Sequence, residues 1–125
     1  MEVKIKVVLG GYKVVTLPIE SVEPLILKVS EVSGRRGRDL EEALRIIRNF
    51  DYFYDLSKRK FKDYLIIPHD PKDMITENVI VDKVKLEYIN SKKHVIIVFD
   101  KRLPIEVISK ALESLNFKPT IEFTT

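Results

Sequence analysis

The sequence predicts an α+β fold: a two-layer sandwich with a mainly antiparallel sheet of about five to six strands and three helices. Three observations lead there. The chain opens on alternating apolar and charged residues, Val3, Ile5, Val7 and Leu9 against Lys4 and Lys6, which is strand periodicity. Three later segments carry apolar stripes of helical period. And a hairpin-then-helix order occurs twice, whereas a doubly wound parallel sheet needs regular strand–helix–strand alternation.

The 125 residues correspond to one domain, 1–125, long enough to bury a core without staples. Hydrophobic residues make up 45% and charged residues 33%, which is globular rather than disordered. Cysteine is absent, which excludes disulfides, thiolate metal sites and cysteine nucleophiles. No apolar run approaches the length of a membrane span, and "MEVKIKVV" lacks the apolar block of a signal peptide. The expectation is a cytoplasmic protein with no membrane partner. Gln and Trp are absent, Ile plus Val total 29, and Lys, Arg and Glu dominate the polar set. That pattern points to a thermophile, plausibly an archaeal one.

Element by element, strand 2–9 is followed by Gly10-Gly11, a two-residue hairpin signal, and by a partner strand over 12–17. Val22, Leu25, Ile26, Val29 and Val32 form one helical stripe. Ser21 is the expected cap, Pro24 falls in the first turn, and Gly34 stops the helix. Asp39 and Glu42 resemble a capping box for a second helix running to about residue 56, with "SKRK" at its negative end. Residues 64–68 read as a buried strand. "HDPKDMITEN" reads as a polar loop, and 79–89 with 94–99 form a hairpin around "NSKK". Pro104 opens a third helix with Ile105, Ile108, Leu112 and Leu115 inward. Asn116 offers a left-handed stop before a closing strand at about 120–124.

Two units share an order and some letters. Val3-Lys4 matches Val84-Lys85, and Leu17-Pro18-Ile19-Glu20 matches Leu103-Pro104-Ile105-Glu106. This raises a ββα internal duplication, although shared letters in a chain rich in these residues also arise by chance. The units resemble ferredoxin-like and related RNA-binding sandwiches in architecture alone, and no functional residue follows from that.

Net charge is +3, mildly basic, but unevenly spread. Residues 34–62 carry nine Lys/Arg against five Asp/Glu. The sharpest cue lies there: "SGRRGRD", with Arg35, Arg36 and Arg38 between glycines and just before a helix. Guanidinium forks suit phosphate oxygens, and glycines permit close backbone approach. Yet Asp39 already holds the cap, no Walker pattern is present, and a solvated connector would read the same way. Lys58, Arg59 and Lys60 form a second basic group. Between them "FDYFYDL" places Phe50, Tyr52, Phe53 and Tyr54 on one predicted helix, around more of its circumference than one core can cover. Tyr52 and Phe53 are therefore candidate interface residues.

His69, Asp70 and Asp73 share one loop, a weak pattern for a metal or for acid–base chemistry, because Asp and Pro are ordinary turn residues. No nucleophile elbow, zincin or dinucleotide fingerprint occurs. The expectation is a non-enzymatic nucleic-acid-binding protein with no cofactor and no metal. It would use Arg35, Arg36, Arg38, Lys58, Arg59 and Lys60. The alternative is an interaction subunit, either homodimeric or part of a larger complex.

Overall fold

The computed structural model describes residues 1–124. It is α+β, with a mixed six-stranded sheet and five helices. The strands are β1 (Glu2–Val7), β2 (Lys13–Pro18), β3 (Leu65–Ile66), β4 (Val81–Ile89), β5 (Lys92–Phe99) and β6 (Lys118–Phe123). The helices are α1 (Ile19–Ser33), α2 (Arg38–Arg48), α3 (Phe50–Arg59), α4 (Pro71–Ile75) and α5 (Ile105–Ser114). Strand order is β3-β4-β5-β2-β1-β6, and every neighbouring pair is antiparallel except β1 with β6.

Five helices replace the expected three for local reasons. The expected helix over 39–56 breaks at Asn49, whose backbone is not helical (φ −119°, ψ 43°). The Asn49 side-chain amide donates to the Arg45 carbonyl at 2.8 Å and closes α2. The break re-aims the aromatics that one straight helix could not bury together. Phe50 and Phe53 enter the core, Tyr54 is half-buried against it, and Tyr52 stays exposed. The other added helix is the single turn α4, inside the expected polar loop. Asp70 caps it by accepting from the Lys72 N–H at 2.9 Å, and Pro71 stands at its first position.

Other boundaries move for equally specific reasons. α1 begins at Ile19, after Pro18, and Ser21 makes no cap. Pro24 is then inside the helix rather than in its first turn. The first hairpin has a five-residue loop, 8–12, in which Gly10 and Gly11 take φ of +88° and +83°. The second hairpin is the tight one. Ile89 faces Lys92 across Asn90 and Ser91, both in the left-handed region. Asn116 also takes positive φ, as expected of the stop after α5.

The two ββα units recur in space. β2 and β5, their second strands, lie side by side and antiparallel, and α1 packs on α5. In both units a proline, Pro18 or Pro104, immediately precedes the first helical residue.

The strands bury one face. Val3, Ile5, Val15, Leu17, Val84, Leu86, Val95, Ile97 and Phe99 join Leu25, Ile26, Ile47, Phe50, Ile108 and Leu112 of the helices in one core. The intervening strand residues point the other way, and among the described residues helices α1, α2, α3 and α5 pack on the core face instead.

Candidate nucleic-acid interface

The structure gives the arginine loop a job that does not involve solvent. The Arg35 guanidinium is largely buried and donates to the Val79 carbonyl at 2.8 Å and the Arg102 carbonyl at 3.1 Å. It also pairs with Asp100 at 3.3 Å, and the same Asp100 oxygen accepts from the Arg102 N–H and Nε. Arg35 therefore clamps the α1–α2 connector onto the ends of β4 and β5. The backbone around it is stitched as tightly. Ser30 Oγ donates to the Arg35 carbonyl at 2.6 Å. The Gly37 N–H donates to the Asn78 carbonyl at 3.1 Å, and the Arg38 N–H donates to Asp73 at 3.0 Å.

Asp39 does not cap α2; Gly37 holds that position without a side chain. The Asp39 carboxylate is buried and accepts from the Ile80 and Val81 N–H groups at 2.8 and 2.7 Å, tying α2 to the start of β4. Burial raises its pKa above the ordinary aspartate value, opposed by those two N–H groups and by nearby His69. A Cβ on Gly37 would fall 2.7 Å from the Asn78 carbonyl oxygen and collide with the Asp39 carboxylate, so this glycine is required by close approach.

Of the predicted basic residues, Arg36, Arg38, Lys58, Arg59 and Lys60 are exposed. Arg38 lies 3.7 Å from Asp70 beside an open cleft of about 530 Å³, lined also by Glu41, Glu42 and His69. Lys58 lies over the Tyr54 ring at the other end of the α2–α3 segment. No hydrogen bond or ion pair among the described residues joins the two groups. Tyr52 is 61% exposed and touches Phe53 edge to face, while Phe53 is buried under the Arg45 guanidinium. His69, Asp70 and Asp73 have separate tasks: His69 Nε2 meets the Val81 carbonyl at 3.0 Å, Asp70 caps α4, and Asp73 holds Arg38 N. Among the described residues, no group of three His, Cys, Asp or Glu could hold a metal ion.

Sequence reasoning missed the helix-free face of the sheet, which emerges only from the registers. One transverse row reads Ile66, Lys83, Val98, Val14, Lys6, Glu122. The next reads Lys85, Ile96, Thr16, then Lys4 and Thr120. A third carries Glu87, His94 and Pro18, with Glu2 and Lys118 beyond. Val98 is buried yet outside the main core, so of the aliphatic residues in these rows Val14 and Ile96 are the ones left half-exposed. With Lys92, the paired positions hold six lysines (4, 6, 83, 85, 92, 118) against three glutamates (2, 87, 122).

An aliphatic centre, Val14, Ile96 and Val98, thus lies between Lys4 and Lys6 on one side and Lys83 and Lys85 on the other. Tyr64 stands beside the second pair, its ring centroid 4.9 Å from Lys83 Nζ and 5.9 Å from Lys85 Nζ. The bond to Glu87 at 3.2 Å raises the Lys85 pKa, with Asp63 adding a smaller attraction, so Lys85 is firmly charged. Lys4 pairs loosely with Glu122 at 3.7 Å. Chemically the face offers cations, the half-buried aliphatic side chains of Val14 and Ile96, and one aromatic ring.

Comparison of the chain with protein-family models, curated proteins and solved structures gives no match. No helix among the described residues is long and apolar enough to cross a membrane.

Proposed function

We propose that this protein is a non-catalytic module that binds single-stranded nucleic acid on the helix-free face of its sheet. The observation that carries the reading is the pair of lysine rows flanking Val14 and Ile96. Lys4 and Lys6, like Lys83 and Lys85, repeat every second residue, about 6.8 Å along a strand. The two rows are three strands apart, about 14 Å. A strand of nucleic acid laid between them meets cations on both flanks and apolar surface beneath. Tyr64 offers a ring for base stacking. Arg36, Arg38, Lys58, Arg59 and Lys60 extend the positive field rather than form the contact, and Arg35 takes no part because its guanidinium is engaged internally.

The reading includes a cytoplasmic, thermophilic and archaeal setting, supported by composition, and a two-layer ββα duplication, supported by the matched units. The test is titration of a fluorescent single-stranded oligonucleotide with the wild type and with Lys4, Lys6, Lys83 and Lys85 changed to Gln. Loss of binding in that variant is expected. Binding retained there, but lost on neutralising Arg36, Arg38, Lys58, Arg59 and Lys60, would move the site to the helical side.

A second reading rests on one observation. Tyr52, 61% exposed on α3, gives an aromatic anchor for a protein partner. Partner capture that is abolished by Tyr52→Ala, while oligonucleotide binding is absent, would favour it.

A further inference from the structure

We infer that β6 is the pairing edge for a second copy of this chain, through an antiparallel β6–β6 contact that joins two six-stranded sheets. The inference is independent of the nucleic-acid reading. β6 ends the sheet, hydrogen-bonded to β1 alone. The Lys118 N–H donates to the Met1 carbonyl, and the Thr124 N–H to the Val7 carbonyl. By alternation, residues 118, 120, 122 and 124 turn their backbone groups toward β1, and 119, 121 and 123 turn theirs outward. The outward set is a row of unpaired donors and acceptors. Its side chains are apolar and lie on the helix side, in register with buried Ile5 and with Val7, yet Ile121 is 49% and Phe123 76% exposed.

The other edge differs. β3 is only two residues long, too short to template a partner strand.

The sequence of β6 selects one self-pairing register. With Ile121 opposite its own copy, each Ile121 N–H meets the other Ile121 carbonyl. Each Phe123 N–H meets the other Pro119 carbonyl. That makes four hydrogen bonds; Pro119 has no N–H, so only the Phe123 carbonyl at each end of the pairing goes without a partner strand donor. Phe123 then lies against the other Pro119, and Thr120 against the other Glu122. Moving the register two residues one way puts Glu122 opposite Glu122, a like-charge pair in the closest cross-strand position. Moving it the other way sets Pro119 opposite Ile121, which brings the missing donor from the ends to the centre of the pairing. The central register avoids that repulsion and keeps the missing donor at the ends of the pairing. Its two-fold axis is perpendicular to the sheet, so both helical layers lie on one side and both lysine faces on the other.

The test is sedimentation of the full chain up to about 200 μM, since a weak dimer depends on concentration. The wild type is expected as a dimer, twice the 14.6 kDa chain mass. Ile121→Pro removes an outward N–H that the monomer does not use, so it should give a monomer with unchanged circular dichroism. Phe123→Lys is the second variant should Ile121→Pro misfold, and it should also be monomeric. The chain has no cysteine, so Ile121→Cys should oxidise to a covalent dimer while Ile66→Cys on β3 does not. A wild-type monomer across the range would overturn the inference, as would a dimer that survives both edge variants. None of these readouts involves an oligonucleotide, so this inference and the nucleic-acid reading fail separately.

Discussion

At the scale of single residues, the arginines of "GRRGR" divide by what their side chains meet. Arg35 meets two carbonyls and Asp100 in a place with little water, so truncation strands those acceptors. Arg35→Ala should lower unfolding stability by about 3 kcal/mol in a denaturant titration, whereas Arg36→Ala, which removes no side-chain contact, should change it by less than about 0.5 kcal/mol. Equal effects would contradict the clamp. Asp39 gives a pH signature. Its folded pKa lies above the ordinary value, so the folded state binds the proton more tightly than the unfolded chain. The associated stabilisation is present at low pH and lost as pH rises through the folded pKa. Asp39→Asn removes that dependence, so its stability relative to wild type should rise as pH is raised above the ordinary aspartate pKa of about 3.9. A constant or falling difference would argue against a buried, proton-favouring carboxylate. Neither role was legible in the sequence. The partners of Arg35 are Val79, Asp100 and Arg102, and those of Asp39 are Ile80 and Val81, all brought near only by the fold.

At the scale of elements, local chemistry was readable where one residue decides. Gly34 and Asn116 end helices in the left-handed region as their types suggest. The break at Asn49 carried a cue of a different kind: too many aromatics in 50–54 for one helical face, with no glycine or proline to mark where the helix would yield. Gly37 separates packing from conformation. Its φ is ordinary for any residue, but its surroundings leave no room for a Cβ. Gly37→Ala should therefore destabilise by about 2 kcal/mol or more through overpacking and loss of the Asp39 bonds. Gly34→Ala, in open space but at φ +74°, should cost about 1 kcal/mol. Thermal unfolding of the pair checks the order, and a costlier Gly34→Ala would contradict it.

At the scale of the molecule, strand alternation was visible in the sequence, but strand order was not. Which lysines share a face depends on β2 pairing with β5, a contact between residues about eighty apart in the chain. Reading charge along the chain therefore drew attention to residues 34–62 and away from Lys4, Lys6, Lys83 and Lys85, which are grouped only across strands. A thermophilic chain should unfold well above the roughly 45–65 °C of mesophilic domains, and calorimetry giving a midpoint inside that range would remove the reading. The central claim is the sheet face, and its most direct measurement is the salt dependence of oligonucleotide affinity. Between about 50 and 200 mM salt, log affinity of the wild type should fall linearly with log salt, with a slope near −0.7 for each phosphate neutralised. Changing Lys4, Lys6, Lys83 and Lys85 to Gln should flatten that slope by about 3 and weaken binding at low salt. An affinity indifferent to salt, or a slope unchanged in the four-lysine variant, would contradict the account.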